Sequence, residues 1–336
     1  MIDRIISEDL EKIKGALRKK DFAGKKTLVT GGAGFIGSWL CDALVGFGAE
    51  VTAVDDLSTG RVQNIDHFKS SSTFSFVKSD ICNFESSEKF DIIFHMAGHA
   101  SPDEYQTHPI ETLQTSGEGS FNMAELARKN DATMLFASTS EVYGDAEVIP
   151  TPESYWGKVN PVGPRSCYDE GKRFAEALLV AYNKQYGLDV RIPRIFNTFG
   201  PRLREDGLYG RAMSRFISQA LTNQPITVYG NGKQTRSFCY ITDNITGLLL
   251  LTVNAVAKGE IVNVGNTREV SILELAEKVK EITKSKSTVE FQPLPRDDPR
   301  RRCPHTAKIE SITGWKASVS FEDGLKRTIA WFSERT

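Results

Sequence analysis

The sequence predicts an α/β protein with a doubly wound parallel sheet and a smaller C-terminal lobe. Three observations support this fold class. A glycine-rich turn lies between a short apolar strand and a helix near residue 30, apolar strands and helical segments then alternate up to residue 195, and beyond it the alternation loosens. A strand, a helix and a second strand within about 30 residues form the crossover unit of parallel sheets.

Composition indicates an ordinary globular protein. The 336 residues include 42 basic and 43 acidic side chains, which gives a net charge of -1, and 40% are hydrophobic. Such a chain is long enough for a large core and a second lobe. Because the charges balance, no general field attracts nucleic acid or an anionic membrane, and neither is expected as a partner. An anionic ligand must therefore be held by local groups.

The cysteines and the hydropathy pattern bear on cellular location. The five cysteines are scattered without a CxxC pair, which argues against a disulfide framework and a zinc site: Cys41, Cys82, Cys167, Cys239 and Cys303. No stretch approaches about 18 uninterrupted apolar residues, and the first residues lack a basic segment leading to an apolar run. We expect a cytoplasmic protein with no signal peptide, membrane anchor or bound metal.

The first element, within residues 1–24, is predicted to be an amphipathic helix. Apolar side chains recur at helical spacing among Glu, Lys and Arg between residues 4 and 20: Ile5, Ile6, Leu10, Ile13 and Leu17. We expect this stripe to pack on the body of the protein. A membrane-surface helix is the alternative, which the interspersed acidic residues disfavour.

The larger domain is predicted over residues 25–195, with contributions from about 236–265. Its first unit is a strand from Lys25, a helix over Phe35 to Phe47 and a strand over Glu50 to Val54. Later strands are predicted at Phe74 to Val77, Ile92 to His95, Met134 to Ala137 and Val190 to Arg194. Residues 196–235 and 266–336, with a helix over Ser271 to Thr283, are expected to form the smaller lobe.

The glycine-rich turn has the spacing of a dinucleotide site. Gly32, Gly34 and Gly37 form GxGxxG between a strand and a helix, directly after Gly31. The first allows a tight turn, the second lets a pyrophosphate approach the backbone, and the third permits close helix packing. The start of the helix, at Phe35 and Ile36, would face the phosphates.

Acidic residues at strand ends extend this predicted site. Asp55 ends the next strand, where its carboxylate can accept hydrogen bonds from the adenosine ribose and repel a 2′-phosphate. NAD is therefore expected rather than NADP. Asp80 and Ile81 follow the third strand and are candidates for the edge of the adenine, although an Asp at that point equally suits a plain loop.

Tyr168 and Lys172 form the candidate catalytic pair. Four residues apart, they share one face of a helix, and a nearby ammonium favours the phenolate form of tyrosine. A phenolate can take the proton of a sugar hydroxyl while hydride leaves for a nicotinamide. The YxxxK pattern is common by chance. Here it is supported by the glycine turn and by the segment 138–141, which follows a predicted strand at the position where such sheets carry catalytic groups.

These segments together resemble the extended short-chain dehydrogenase/reductase family, and within it the UDP-glucuronate decarboxylases. The resemblance covers about residues 25–333 and implies a Rossmann-type sheet. Its specific parts lie in residues 31–37, 138–145, 155–157, 160–173, 194–202, 228–238 and 297–299.

The resemblance implies a three-step cycle on one bound NAD. C4 of the glucuronosyl ring is oxidised, the resulting β-keto acid loses CO₂, and NADH then reduces C4. Thr139 would hydrogen-bond the C4 oxygen beside Tyr168, while Lys172 would also hold the nicotinamide ribose. Ser140 and Glu141 would act at the carboxylate-bearing end of the sugar.

Further residues are implied for the charged and nucleotide ends of the substrate. Arg302 matches an arginine near the substrate carboxylate and diphosphate, with the register open within Arg300–Arg302. Guanidinium groups suit both anions because they donate two parallel hydrogen bonds. Asn197, Tyr229 and Gln234 would hold the nucleotide and Arg236 the diphosphate; a turn packed on the second lobe is the alternative for Tyr229 and Gln234.

Three positions depart from the family pattern near the expected substrate. His99 lies in a segment that is usually Ala-Ser-Pro-Ala-Ser-Pro-Pro, Ser116 replaces an asparagine, and Arg215 stands where asparagine is frequent. These departures leave the sugar open, so a 4,6-dehydratase and a C4-epimerase remain alternatives. Ser140 in place of the dehydratase Asp, and Glu141 with Arg302, disfavour them.

A redox-inactive protein that only binds NAD or a nucleotide sugar is a further alternative. The intact Thr139, Tyr168 and Lys172 disfavour it. The family resemblance also implies a homodimer, with helices from about Ile110 to Arg128 and Glu170 to Gln185 forming a four-helix interface. Amphipathic patterning supports those helices, but a monomer core would produce the same pattern.

Overall fold

The computed structural model describes residues 3–204 and 211–335. Within these ranges the strands, in chain order, are β1 (Lys26–Thr30), β2 (Glu50–Asp55), β3 (Phe74–Lys78), β4 (Ile92–His95), β5 (Thr133–Phe136), β6 (Ser138–Thr139), β7 (Val190–Ile195), β8 (Thr198–Phe199), β9 (Ile226–Tyr229), β10 (Thr235–Ser237), β11 (Cys239–Tyr240), β12 (Ile261–Val264), β13 (Glu269–Ser271), β14 (Val289–Gln292) and β15 (Arg301–Arg302).

The helices connect and cover these strands. They are α1 (Arg4–Ala16), α2 (Phe35–Gly46), α3 (Pro102–Thr107), α4 (Pro109–Gln114), α5 (Ser120–Asn130), α6 (Ser166–Tyr186), α7 (Ala212–Leu221), α8 (Ile241–Val253), α9 (Ile272–Thr283), α10 (Ala307–Thr313) and α11 (Phe321–Ser333). Single 3₁₀ turns occur at Lys19–Asp21, Val62–Asn64, Asp66–Phe68, Ser140–Tyr143 and Ala255–Ala257, and a π-helical turn at Thr115–Gly119 joins α4 to α5. No helix in the two described ranges combines the length and apolar character needed to cross a membrane.

The main sheet is parallel throughout, in the order β3-β2-β1-β4-β5-β7-β12, with β6 alongside β7. Its central strands are buried on both sides, as Leu28 and Val29 show, so they carry continuous apolar runs rather than alternating ones. After β3 the chain returns to the other side of β1. The resulting crevice between the carboxyl ends of β1 and β4 is where doubly wound sheets bind ligands.

Helices cover both faces of the sheet and bury two apolar cores. On one face, α2 and α8 pack with α1, and their buried side chains include Leu40, Leu248 and Leu10. On the other face, α5 and α6 contribute Met123 and Leu179. The predicted α/β class, a doubly wound parallel sheet, is therefore confirmed.

Helix α1 is shorter than the pattern over residues 4–20 predicts. Asp3 caps its start by accepting a hydrogen bond from the amide of Ile5 at 2.8 Å. It ends at Ala16, because Leu17 adopts an extended conformation. Its polar face is also held: the buried Asp9 accepts a hydrogen bond from the hydroxyl of Tyr240 at 2.5 Å. The apolar stripe packs on α2 and α8.

The C-terminal segments build three small sheets beside the main one. They are β13-β10-β15, β8 with β11, and β9 with β14, while β12 joins the edge of the main sheet. The short parallel pairing of β10 with β15 places Arg236 opposite Arg302. The exact division into domains stays a prediction, since the buried side chains of both parts share one continuous core.

Candidate active site

A cavity of about 690 Å³ opens at the carboxyl ends of the main strands and reaches the small sheets. Apart from Gly32 of the glycine-rich turn, it collects every site residue predicted from the sequence. Its lining includes Gly31, Gly34, Phe35, Ile36, Gly37, Asp55, Asp80, Ile81, Thr139, Ser140, Glu141, Tyr168, Lys172, Asn197, Tyr229, Gln234, Arg236 and Arg302.

The glycine turn is tightly closed around the start of α2. Gly31 has a φ of +65°, which L side chains rarely adopt. A Cβ on Gly37 would lie 2.0 Å from the carbonyl oxygen of Gly31. Gly34, the residue before the helix, has no side chain to cap it, so the first amide groups of α2 are left to face the cavity. This is the geometry of an anion site at a helix N-terminus.

The Gly37→Ala substitution is expected to disrupt this turn. The added methyl cannot fit against a backbone carbonyl, so the free energy of unfolding should fall by about 1–3 kcal/mol and NAD binding should be lost. Thermal unfolding and a calorimetric NAD titration measure both effects. Gly15→Ala on α1 is the matched control, because its Cβ would meet nothing within 4 Å. Equal NAD binding by the two variants would contradict the predicted role.

Asp55 is fixed at the end of β2, beside this turn. Its carboxylate accepts hydrogen bonds from the amides of Ala33 at 3.0 Å and Leu57 at 2.9 Å. Burial raises the pKa of Asp55, while these amides oppose the shift. Asp80 faces the same cavity. Its carboxylate also accepts a hydrogen bond from the amide of Cys82 at 2.9 Å, as in an ordinary loop. A position at the edge of the adenine and a role in the loop are therefore compatible.

Tyr168 and Lys172 lie on one face of α6, as their spacing predicts. The ring of Tyr168 stacks on Tyr105 of α3, with centroids 5.1 Å apart and planes 4° from parallel. Lys172 donates a hydrogen bond to the carbonyl of Ala137 at 2.9 Å. Its ammonium also lies 4.6 Å from the ring centroid of Phe136. Both side chains are therefore held by contacts on several sides.

Burial works against the expected phenolate at Tyr168. Burial raises the pKa of Tyr168 to about 12, although Thr139 opposes the shift through its hydroxyl. Burial also lowers the pKa of Lys172 to about 8, with Glu176 opposing. Desolvation outweighs the neighbouring charges here, so both side chains favour their neutral forms more than they would in water.

Glu141 is the electrostatic centre of the part of the cavity that adjoins Tyr168. It follows Thr139, whose hydroxyl accepts a hydrogen bond from its amide at 3.2 Å. Its Oε2 accepts hydrogen bonds from Arg165, at 2.5 Å, and from Arg302. Burial alone would raise the pKa of Glu141, but the two guanidinium groups outweigh it and lower the pKa to about 2. Glu141 is therefore ionised at any physiological pH.

Comparison with known proteins identifies the family of this chain. Residues 28–328 match the family model described as GDP-mannose 4,6 dehydratase. The chain belongs to this family of extended short-chain dehydrogenases/reductases. A UDP-glucuronic acid decarboxylase 1 from Danio rerio is 47% identical over 309 residues, which cover 92% of this chain and 73% of that relative. A UDP-glucuronic acid decarboxylase 1 from Arabidopsis thaliana is 45% identical over 315 residues, covering 93% and 71%.

Solved structures of the short-chain dehydrogenases/reductases have the same fold. One is a variant of UDP-glucuronic acid 4-epimerase from Bacillus cereus, in complex with UDP-4-deoxy-4-fluoro-glucuronic acid and NAD. It is 27% identical to this chain, with a TM-score of 0.84, and the match covers 93% of this chain and 100% of the other. A nucleotide sugar and NAD therefore bind together to a protein of this shape.

The three consecutive arginines of this family member have different surroundings. Arg302 lines the cavity and binds Glu141, whereas Arg300 and Arg301 are exposed and pair with Asp145 and Glu269. Geometry therefore favours Arg302 as the arginine that meets substrate, as the resemblance implies.

In the part of the cavity lined by Asn197, Gln234 and Arg236, side chains face the cavity and also make contacts within the protein. Arg236 binds Asp298 at 2.9 Å, and Gln234 donates a hydrogen bond to the carbonyl of Tyr229 at 2.8 Å. Gln234 therefore shapes the loop as well as facing the cavity. Asn197 faces the cavity too, and its buried amide oxygen accepts no hydrogen bond from the part of the chain that is described. That oxygen is available to a ligand.

The departures from the family pattern fall at three different places. His99 lines the cavity and its Nδ1 lies 3.1 Å from the hydroxyl of Thr112. Arg215 also lines it, with its guanidinium 4.8 Å from the ring centroid of Tyr229. Ser116 is instead buried in the π-helical turn, where a Cβ on Gly171 of α6 would lie 3.0 Å from it. Ser116 is therefore a packing residue rather than a cavity residue.

The cavity residues missing from the sequence-based set include two arginines close to the candidate catalytic residues. Arg165 binds Glu141 and Arg211 adds positive charge near Tyr168, which favours its phenolate. Arg165 stands only three residues before Tyr168 in a segment that carries the family resemblance, so its position was a usable signal. Arg211 lies outside every motif, and only the fold brings it to the cavity.

Proposed function

We propose that this protein is an NAD-dependent UDP-glucuronate decarboxylase, a carboxy-lyase that forms UDP-xylose. The observation that carries the proposal is Glu141 held by Arg165 and Arg302 in the same cavity as Tyr168 and Lys172. An epimerase or dehydratase acting on a neutral sugar needs no such pair of arginines at this end. Relatives named as UDP-glucuronic acid decarboxylases, 43–47% identical, support the same choice.

The dinucleotide side of the cavity fits NAD. A side chain at Gly31 would meet the backbone of Ala97 at 2.9 Å, so this cradle stays open to a phosphate only with glycine. Asp55 has oxygen lone pairs for the adenosine ribose, and its charge disfavours a 2′-phosphate. Bound NAD would accept a hydride from C4 of the sugar and later return it. Lys172 would hold the nicotinamide ribose.

The chain's own residues would then move protons and hold charge. In its phenolate form, which the charge of Arg211 favours, Tyr168 would take the proton of the C4 hydroxyl, with Thr139 hydrogen-bonded to the same oxygen. When the bond from C5 to the carboxyl carbon breaks, its electron pair passes to the C4 oxygen, and CO₂ leaves. Tyr168 and Thr139 stabilise the negative oxygen by hydrogen bonds. C5 then takes up one proton from solvent, on the side that Ser140 and Glu141 face, and the proton held by Tyr168 returns to the C4 oxygen when C4 is reduced.

The nucleotide part of the proposed substrate carries an anionic diphosphate and an aromatic base. We propose that Arg236 binds the diphosphate, because a guanidinium group matches phosphate oxygens with paired hydrogen bonds. Asn197, Tyr229 and Gln234 would contact the nucleoside. Arg215, stacked on Tyr229, adds a cation at this end, which suits the charge of a nucleoside diphosphate.

The direct test incubates the purified protein with UDP-glucuronate, without and with added NAD. Release of CO₂ and the mass of the nucleotide-sugar product are followed together. We expect CO₂ and a UDP-pentose in equal amounts. An unchanged product mass would contradict decarboxylation, and the same assay with UDP-glucose, UDP-galactose and dTDP-glucose would then distinguish a C4-epimerase from a 4,6-dehydratase. Ligand binding without any product would indicate the redox-inactive alternative.

We also propose a homodimer built through a four-helix interface. The helical run from α4 to α5 and helix α6 present large apolar side chains to solvent in the single chain: Ile110, Leu113, Phe121, Phe174 and Tyr186. An apolar surface of this kind is typical of a protein contact. Two helical segments from each copy would bury it.

Phe174→Glu is expected to give a monomer. Phe174 is 54% exposed on α6, and a carboxylate there would be desolvated at the interface. Light scattering at increasing protein concentration measures the mass. Val256→Glu, at a residue 71% exposed outside these helices, is the control and should remain dimeric. A wild-type protein that stays monomeric at all concentrations would refute the dimer.

Localisation in the cytoplasm is proposed from the cysteines. All five are unpaired, and four of them are buried. Unpaired buried thiols persist most readily in a reducing compartment.

A further inference from the structure

The two arginines on Glu141 use only one of its oxygens. Both guanidinium groups donate to Oε2. Oε1 accepts no hydrogen bond from the residues that the structure describes, although Glu141 lines the cavity. One carboxylate oxygen is therefore anchored and the other is presented to the ligand.

The two arginines differ in how firmly they are attached. Arg165 immediately precedes α6, and its carbonyl accepts hydrogen bonds from the amides of Tyr168, at 3.1 Å, and Asp169, at 3.0 Å. Its guanidinium is 5.9 Å from the ring centroid of Tyr105, which itself stacks on Tyr168, and 3.7 Å from Asp298. Arg165 is thus part of the same rigid unit as the candidate catalytic tyrosine.

Arg302 lies on a much shorter secondary-structure element than the helix that Arg165 precedes. It lies on β15, which has two residues and pairs only with β10 among the described strands. Its neighbour across that pairing is another arginine, Arg236. Like charges at opposite positions repel, so an added anion would be attracted to this strand pair.

We infer that Arg165 is the permanent partner of Glu141, whereas Arg302 exchanges from Glu141 to the carboxylate of the substrate. Arg165 is therefore a positioning residue: it keeps Glu141 ionised and Oε1 turned toward the sugar while Arg302 is engaged elsewhere. This inference rests on the proposed decarboxylase function.

Charge balance explains why one arginine does not suffice. When the substrate carboxylate enters beside Glu141, two anions share one buried space. Arg165 and Arg302 together neutralise them, but without Arg165 a single cation would serve both. One of the two carboxyl groups would then favour its protonated form, because like charges in a buried site cannot both ionise readily.

Other ionisable groups surround Glu141, and their protonation has to be distinguished from that of Glu141 in a pH titration. Burial raises the pKa of Asp169 to about 8, with Glu141 adding to the shift, so its titration falls in a different pH range from that of Glu141. The remaining charged or titratable neighbours are Tyr168, Tyr105, Arg236 and Asp298.

The test compares Arg165→Gln and Arg165→Lys with the wild-type enzyme and with Arg268→Gln. Arg268 pairs with Glu322 at 2.7 Å on the surface, outside the cavity, and is the control. We expect Arg165→Gln to lower the rate of CO₂ release at neutral pH by at least about tenfold. The acidic limb of its pH-rate profile should move up by about 1–3 pH units, because Glu141 has lost a cation. Arg165→Lys should restore part of both effects.

A second measurement separates positioning from a general structural defect. Formation of NADH from UDP-glucuronate in a single turnover reports C4 oxidation alone, and it should stay within about twofold of wild type in Arg165→Gln. An unshifted acidic limb, or an equal loss of oxidation and decarboxylation, would overturn the inference and leave the proposed function intact. A wild-type protein that releases no CO₂ would overturn both.

Discussion

Replacing Tyr168 by phenylalanine is expected to lower kcat for CO₂ release from UDP-glucuronate by about 10²–10⁴-fold. The substitution removes only the hydroxyl, so the ring can still stack on Tyr105 and fill its buried position. The loss arises because nothing then accepts the C4 proton during oxidation or stabilises the C4 oxygen during loss of CO₂. Both the formation of NADH and the release of CO₂ should therefore fail.

Steady-state and single-turnover assays measure these two steps. Tyr186→Phe is the matched control, since Tyr186 ends the same helix away from the cavity and the substitution keeps the ring that the proposed dimer would bury. Its kcat should equal that of wild type. Substantial NADH formation by Tyr168→Phe would show that another group accepts the C4 proton.

Replacing Glu141 by glutamine is expected to separate oxidation from decarboxylation. The substituted amide retains the shape of the side chain but carries no negative charge. Tyr168 and Lys172 are untouched, so UDP-glucuronate should still reduce bound NAD, while CO₂ release falls by about 10²-fold or more. NADH absorbance should therefore accumulate without release of CO₂. A variant that releases CO₂ at the wild-type rate would remove Glu141 from the mechanism.

The same substitution has a cost in stability. It leaves Arg165 and Arg302 buried beside a neutral group, so the free energy of unfolding should fall by about 3–5 kcal/mol. The folded-state pKa of Glu141 lies near 2, below its usual 4.5, so its stabilising contribution is present above about pH 4.5 and is lost as the pH falls toward 2. Urea unfolding at several pH values measures this, with exposed Glu147→Gln as control.

Much of the fold could be predicted because its signals are local. The apolar runs of β1, β2 and β4 and the glycine turn each lie within a few residues, and they are sufficient to define a doubly wound sheet. The smaller sheets could not be found in this way. Strands β9 and β14, or β10 and β15, pair across tens of residues, and β15 is too short to show any periodicity.

In the candidate site too, residues in local motifs could be predicted, whereas contacts made only by the fold could not. Residues in motifs with a fixed spacing, such as Gly37 or the pair Tyr168 and Lys172, were found because their chemistry requires that spacing. The ionisation of Tyr168 was not predictable, because burial exceeds the influence of nearby charge. The partnership of Arg165 with Glu141 depends on how α6 docks beside the 3₁₀ turn after β6, which sequence alone does not display.

The ion pair between Glu141 and Arg302 joins positions 161 residues apart. Contacts at such a separation form after local ones, because closing a long loop costs conformational entropy before the contact can repay it. A refolding chain would thus complete its glycine turn and the Tyr168 helix while Arg302 was still absent from Glu141. Recovery of dinucleotide binding is therefore expected to precede recovery of catalysis, because catalysis also requires this distant ion pair.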